Sequence, residues 1–117
     1  MKTLVFVYGT LKRGGDNHRW IEDQQFVAEA ITVPVYRMYD LGGYPGMVRS
    51  AEGLSIQGEV WSVDEAGIAR LDVLEDTDGG EYERVRVQLE GEYATQQVEG
   101  YIYLCSIEGR REVGACW

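Results

Sequence analysis

Val5-Phe6-Val7-Tyr8-Gly9-Thr10-Leu11-Lys12-Arg13-Gly14 is the stretch on which the reading of this chain turns. A β-rich apolar run starts at Thr3 and stops abruptly at Tyr8-Gly9, where a basic loop flanked by glycine takes over. The run is continuous rather than alternating, so a strand over residues 3–8 is expected to be buried on both faces. Gly9 admits backbone conformations closed to other residues and lets a ligand approach the main chain. Successive N–H groups at such a break can form a concave set of donors for an anion or a polarised carbonyl oxygen. The same pattern fits a plain strand and turn, and no phosphate-loop or dinucleotide signature completes it.

Working outward, Asn17 is placed to cap a short helix running to about residue 25, with Trp20 and Ile21 facing inward. Residues 27–38 read as a strand that bends or lies at an edge near Pro34. Residues 41–46 contain three glycines and Pro45 and read as a loop. Residues 56–63 alternate as a strand, with Ile56, Gly58, Val60 and Ser62 on one face and Gln57, Glu59, Trp61 and Val63 on the other. Asp64 is a good N-cap, and Ile68, Leu71 and Leu74 then form the apolar stripe of a helix that ends before Gly79-Gly80. Residues 82–89 read as a strand with Val85, Val87 and Leu89 on one face. Residues 90–92 read as a hairpin turn, and residues 95–105 as the strand that pairs back. About five or six strands with two or more helices are too helix-poor for a repeating βαβ fold. They define an α+β class whose sheet curls towards a barrel.

The 117 residues suit one domain over 1–117. Apolar residues make up 44% of the chain, which separates it from disordered sequences. A formal net charge of −9 argues against nucleic-acid binding and against anionic membrane surfaces. Two cysteines, Cys105 and Cys116, and the single His18 make a Cys/His metal site unexpected. Cys105 follows an apolar strand-like run and reads as a buried hydrophobe, and a disulfide to Cys116 stays open. The apolar run at residues 4–7 is shorter than the roughly 7–15 residues of a secretory h-region. No segment approaches the ~20 apolar residues of a membrane span, so a cytoplasmic protein is the expectation.

The helix opened by Asp64 ends in Glu75-Asp76-Thr77-Asp78. A helix C-terminus carries partial negative charge, so acids there resist ionisation, and a local rule broken at one place often marks a functional site. A carboxyl pKa raised in this way moves towards the range useful for proton transfer at neutral pH. Glu75 lies four residues beyond Leu71 and shares the side of the apolar stripe, whereas Asp76 and Asp78 fall in the glycine-rich exit and face water. A solvated acidic loop is the plainer alternative. Glu59 is the rival acid, and its expected role is a structural one satisfied by Arg84 or Arg86. Lys12 and Arg13 are basic residues on an exposed loop, which usually do nothing specific.

Four ordered segments share a pattern: Tyr8-Gly9-Thr10-Leu11-Lys12-Arg13-Gly14, Gly43-Tyr44-Pro45-Gly46-Met47-Val48, Gly58-Glu59-Val60-Trp61, and Leu71-Asp72-Val73-Leu74-Glu75 followed by Tyr82-Glu83-Arg84. In this set the chain resembles the γ-glutamylcyclotransferase-like enzymes, most closely their γ-glutamylamine cyclotransferase branch. The resemblance implies a compact mixed barrel with flanking helices. It implies that a γ-glutamyl α-amine attacks its own γ-carbonyl, releasing 5-oxoproline and a free amine. It places the catalytic Glu of the family's Leu-Asp-x-x-Glu motif on Glu75. The substrate's glutamyl part would then rest on the main chain of Tyr8, Gly9, Thr10 and Leu11, with Tyr82 in reach. The implied partner is a small-molecule γ-glutamyl substrate, and no metal, nucleotide or redox cofactor is required. A non-catalytic binding module, or another amide- or acyl-processing enzyme on the same scaffold, stays open, as do the leaving amine and the oligomeric state.

Overall fold

The computed structural model describes residues 1–117. The opening strand, β1 (Lys2–Val7), lies in the middle of a five-stranded sheet. Its order is β2 (Gln25–Ile31), β5 (Gln57–Asp64), β1, β7 (Val98–Tyr103), β6 (Tyr82–Arg86). β1 runs antiparallel to β5 and parallel to β7, and the two outer pairings are antiparallel. A second sheet has the order β4 (Pro45–Arg49), β3 (Tyr36–Asp40), β8 (Arg111–Val113). One α-helix, α1 (Glu65–Leu74), and two 3-10 turns, His18–Trp20 and Gly91–Tyr93, complete the α+β architecture. The sheets form a barrel-like core without closing into a barrel.

β1 shows why its sequence is continuously apolar. Val5 and Val7 point into one core cluster with Trp61, Val63 and Leu71, beneath α1. Phe6 and Tyr8 point into the other, with Met38 and Met47 of the second sheet. Each large side chain removed from water in this way contributes roughly 1.5–3 kcal/mol, so this strand is a major source of the fold's stability. α1 begins where expected: the Asp64 carboxylate accepts the Gly67 N–H at 2.7 Å. Leu71 is fully buried under it, and Val73 on the far side is exposed.

Several local expectations give way. No helix runs from Asn17 to Gln25; a single 3-10 turn covers His18–Trp20, and Gln25 already belongs to β2. Asn17 does not cap it, because its side-chain amide donates to the Thr10 hydroxyl at 2.9 Å instead. Ile21 does face the core, with Trp20 packed against it. The strand expected over residues 27–38 is two strands in different sheets, separated around Pro34, which has no N–H to continue a ladder. Pro45 and Gly46, read as loop, begin β4, since a strand's first residue tolerates a missing N–H. The tight turn before them has its Gly42 and Gly43 amides on the Asp40 carboxylate, with φ of 108° and 95° that favour glycine. Residues 90–92 do not form a simple hairpin turn, and β7 begins only at Val98. β8 is three residues of largely polar sequence with no strand signal. Cys105 is exposed rather than buried, and it and Cys116 are both free thiols. No helix is long and apolar enough to cross a membrane.

Candidate functional site

A cleft of about 270 Å³ opens beyond the end of β1. That size lies near the lower end of the roughly 300–1,000 Å³ usual for small-molecule sites, so it suits a small ligand. Residues 8–11, Tyr44 and Pro45, and Glu75, Glu81 and Tyr82 line the cleft, together with Phe6 and Tyr101 among others. The five residues expected from the sequence to bind substrate and the one expected to move a proton thus surround one cavity.

The side formed by residues 8–11 presents main chain. Gly9, Thr10 and Leu11 are buried, yet their amides donate to no acceptor in the chain. Buried N–H groups are almost always paired, so unpaired donors around a cavity are available to a ligand oxygen. The loop's carbonyls, by contrast, are engaged: Gly9 O accepts from Lys12 N and Thr10 O from Asn17 N. Backbone freedom, one of the two reasons the sequence suggests for Gly9, is not what the structure requires of it. Its φ lies outside the left-handed region, but a Cβ would stand 2.5 Å from Pro45 Cγ. The proline ring occupies that space. Pro45 is held in turn by the Tyr82 hydroxyl, which donates to its carbonyl at 2.7 Å.

Glu59 anchors the loop from beneath. Its carboxylate accepts the Arg13 N–H at 3.1 Å, Arg13 Nε at 3.0 Å and the Trp61 indole N–H at 3.1 Å. Burial alone would push its pKa up; the Trp61 and Arg13 donors outweigh it and hold the carboxyl below its ordinary value. Its partner is therefore Arg13, not Arg84 or Arg86. Arg13 has a specific task after all, with its guanidinium also stacked 3.9 Å over Phe26. Arg84 instead bridges Asp72 on α1 to Glu99 on β7, and Tyr101 donates to the same Asp72 at 2.7 Å. This network ties the helix to the sheet one turn before Glu75.

Glu75 stands at the helix end in the opposite condition. Its amide closes the last turn on Leu71 O, and its carboxylate accepts no hydrogen bond from the chain. Burial, with a smaller contribution from Glu81, raises its pKa from 4.5 to about 7. Asp76 and Asp78 are exposed, as their place in the exit implies. Asp76 adopts φ 52°, a helix-terminating conformation more usual for glycine. Tyr8 and Tyr82 flank the cavity with hydroxyls already committed. Tyr8 donates to Tyr101 O at 2.7 Å and accepts from Met47 N, and Tyr82 donates to Pro45 O. Burial first, then neighbouring negative charge, pushes both phenols well above their ordinary pKa, so they stay neutral. Chemically the cavity offers one carboxyl able to exchange a proton near neutral pH, in the same lining as a set of free amides. No group of three or more His, Cys, Asp or Glu side chains is arranged to hold a metal ion.

The sequence reading did not single out Glu81, Tyr44 or Tyr101 as lining residues. Glu81 follows two glycines and carries no periodicity signal, and Tyr44 and Tyr101 come from segments distant in sequence.

The sequence model of the γ-glutamyl cyclotransferase, AIG2-like family matches residues 5–117. The chain belongs to this family. A Vibrio cholerae relative provisionally named a γ-glutamylcyclotransferase is 49% identical over 76 residues, which span 65% of this chain and 64% of that one. The γ-glutamylcyclotransferase family protein YtfP of Escherichia coli K12 is 39% identical over 84 residues, 72% of this chain and 71% of the relative. Among solved structures, a uropathogenic E. coli-specific protein, c4763, superposes with a TM-score of 0.80 at 27% identity over 100% of this chain and 93% of that one. Family and relatives together support a γ-glutamylcyclotransferase-type function.

Proposed function

We propose that this protein is a cyclotransferase that releases 5-oxoproline and a free amine from a γ-glutamyl amine, with Glu75 moving the protons. The observation that carries this reading is the pairing, across one small cavity, of an unpartnered carboxyl with three unpartnered main-chain amides. The resemblance of Leu71-Asp72-Val73-Leu74-Glu75 to the family's catalytic motif supports the same residue.

The chemistry follows from those groups. The amides of Gly9, Thr10 and Leu11 hold the glutamyl end of the substrate in a folded conformation. Fixing the chain so that it closes a five-membered ring supplies much of the rate advantage of an intramolecular attack. Ionised Glu75 takes a proton from the α-ammonium, and the freed amine attacks the γ-carbonyl carbon. The new C–N bond forms as the carbonyl oxygen gains negative charge, which an N–H of the same loop stabilises. The tetrahedral species collapses by breaking the original amide C–N bond as Glu75 gives its proton to the departing nitrogen; Glu75, ionised again, takes the second proton from the cationic ring nitrogen, leaving the neutral lactam, and passes it to the freed amine, which leaves as an ammonium. A carboxyl with a pKa of about 7 is divided between base and acid forms at neutral pH, which suits a group that must act as both.

Incubation of the purified protein with a γ-glutamyl alkylamide, followed by chromatographic detection of 5-oxoproline and the free amine in equal amounts, tests this directly. Stoichiometric release is the expected result. A folded protein that binds the amide and releases neither product would instead be a binding module.

A further inference from the structure

We propose that Glu81 makes the cleft selective for the charge of the leaving amine, favouring γ-glutamyl amides whose leaving group carries a second, cationic amine and disfavouring those carrying a carboxylate. This deepens the cyclotransferase reading and rests on it. The carrying observation is the make-up of the cavity: two acidic side chains, Glu75 and Glu81, line it, and no Lys, Arg or His does.

Glu81 is built in place. Its amide donates to Asp76 O at 3.1 Å and its carbonyl accepts Leu104 N at 2.9 Å, so its backbone is held on both sides. One carboxylate oxygen accepts the Tyr44 hydroxyl at 3.2 Å. The other oxygen makes no hydrogen bond within the chain. Tyr44 and Glu81 thus form a polar rim on a cavity whose interior is largely apolar. The charge of Arg110 reaches Tyr44, but its guanidinium donates to Leu41 O at 3.1 Å and it does not line the cavity.

The substrate's two ends then meet opposite chemistry. A glutamyl carboxylate needs donors, and the free amides of Gly9, Thr10 and Leu11 offer them. The leaving group extends from the γ-carbonyl away from that loop. There it meets Glu81 and Tyr44, which also line the cavity and can accept. An alkylammonium can donate to the free oxygen of Glu81; an alkyl group gains nothing there; a carboxylate meets a like charge, with no cation lining the cavity to bond it. For a partly exposed pair, an opposite charge within a few ångströms is worth about a tenfold preference, and a like charge a similar penalty.

Three amides of γ-glutamic acid with leaving groups of similar length separate these cases: 4-aminobutyl, pentyl and 3-carboxypropyl. 5-Oxoproline release is followed for each with the wild-type protein and with Glu81→Gln, and the readout is the ratio of kcat/KM values within each protein. Glu81→Gln also changes the environment of Glu75, but that effect is common to all three substrates and cancels in the ratio. The expected wild-type order is 4-aminobutyl over pentyl over 3-carboxypropyl, with steps of about tenfold that shrink to about twofold or less in Glu81→Gln. Raising the ionic strength compresses the wild-type ratios in the same direction. Equal wild-type values, or a preference that Glu81→Gln leaves unchanged, overturn the selectivity while leaving the cyclotransferase reading standing. Release of 5-oxoproline from none of the three by folded wild-type protein overturns the cyclotransferase reading and this inference with it.

Discussion

Glu59 and Glu75 are both carboxylates drawn out of bulk water, Glu75 lining the cleft and Glu59 bonded to the loop that borders it, and they have been brought to opposite states. Glu59 sits near the start of β5, where three donors from Arg13 and Trp61 converge on it. Glu75 sits at the end of α1, where the helix offers carbonyls rather than donors and Glu81 adds negative charge. One acid is held ionised and fixes a loop; the other is left unpartnered and is held near its titration midpoint at neutral pH. The lesson is that burial alone does not decide what a buried acid does. The donors around it do.

The largest expected effect that would sharpen this contrast is on turnover. Glu75→Gln keeps the shape but cannot take a proton, so kcat should fall by ~10²-fold or more while substrate binding is largely kept. Glu59→Gln in the same 5-oxoproline assay should lower kcat far less, its main effect being a rise in KM as the loop loosens. If the two variants lost activity equally, the division of labour would be wrong.

Next in size is the loop itself. Gly9→Ala forces a methyl group against the Pro45 ring, an overpacking expected to cost ~1–3 kcal/mol and to raise KM or lower stability accordingly. Adding Pro45→Ala should restore much of the loss, because the Tyr82 bond goes to the main-chain carbonyl and survives. A double variant no better than Gly9→Ala would mean that Gly9 is needed for ligand approach rather than for the proline.

Stability against pH separates the acids further, with opposite signs. The folded-state pKa of Glu75 is raised, so its contribution is fully favourable below about 4.5 and is lost as pH rises through about 7. Glu75→Gln should therefore be more stable than wild type by ~1–3 kcal/mol at about pH 8 and nearly equal to it at about pH 4, measured by urea unfolding. Glu59 has a lowered folded-state pKa, so its contribution is present above its ordinary value and is lost as pH falls through the folded one. Glu59→Gln should cost ~1–2 kcal/mol at neutral pH, with the difference from wild type shrinking in acid.

The sequence made this contrast only half visible. The helical spacing from Leu71 and the conflict between an acid and a helix C-terminus both pointed to Glu75, because those are local signals. The break at Tyr8-Gly9 likewise located the open loop. The partner of Glu59 could not be read, since Arg13 meets it across 46 residues through a loop whose path depends on tertiary packing. The same holds for Glu81 beside Glu75, and for Pro45, whose ring meets Gly9 from another sheet. β4 and β8 were missed because a proline and a run of charged residues hide short edge strands whose existence is set by their neighbour β3.

The claim at the centre of this account is that the Glu75 carboxyl is the one kept unpartnered and titrating near neutrality. A ¹³C NMR titration of the glutamate side-chain carboxyls, with Glu75→Gln used to assign the signal, tests it most directly. One resonance should titrate with a midpoint of about 7 and be absent from the variant. A Glu75 signal titrating in the ordinary carboxylate range, near ~4.3, would contradict the account.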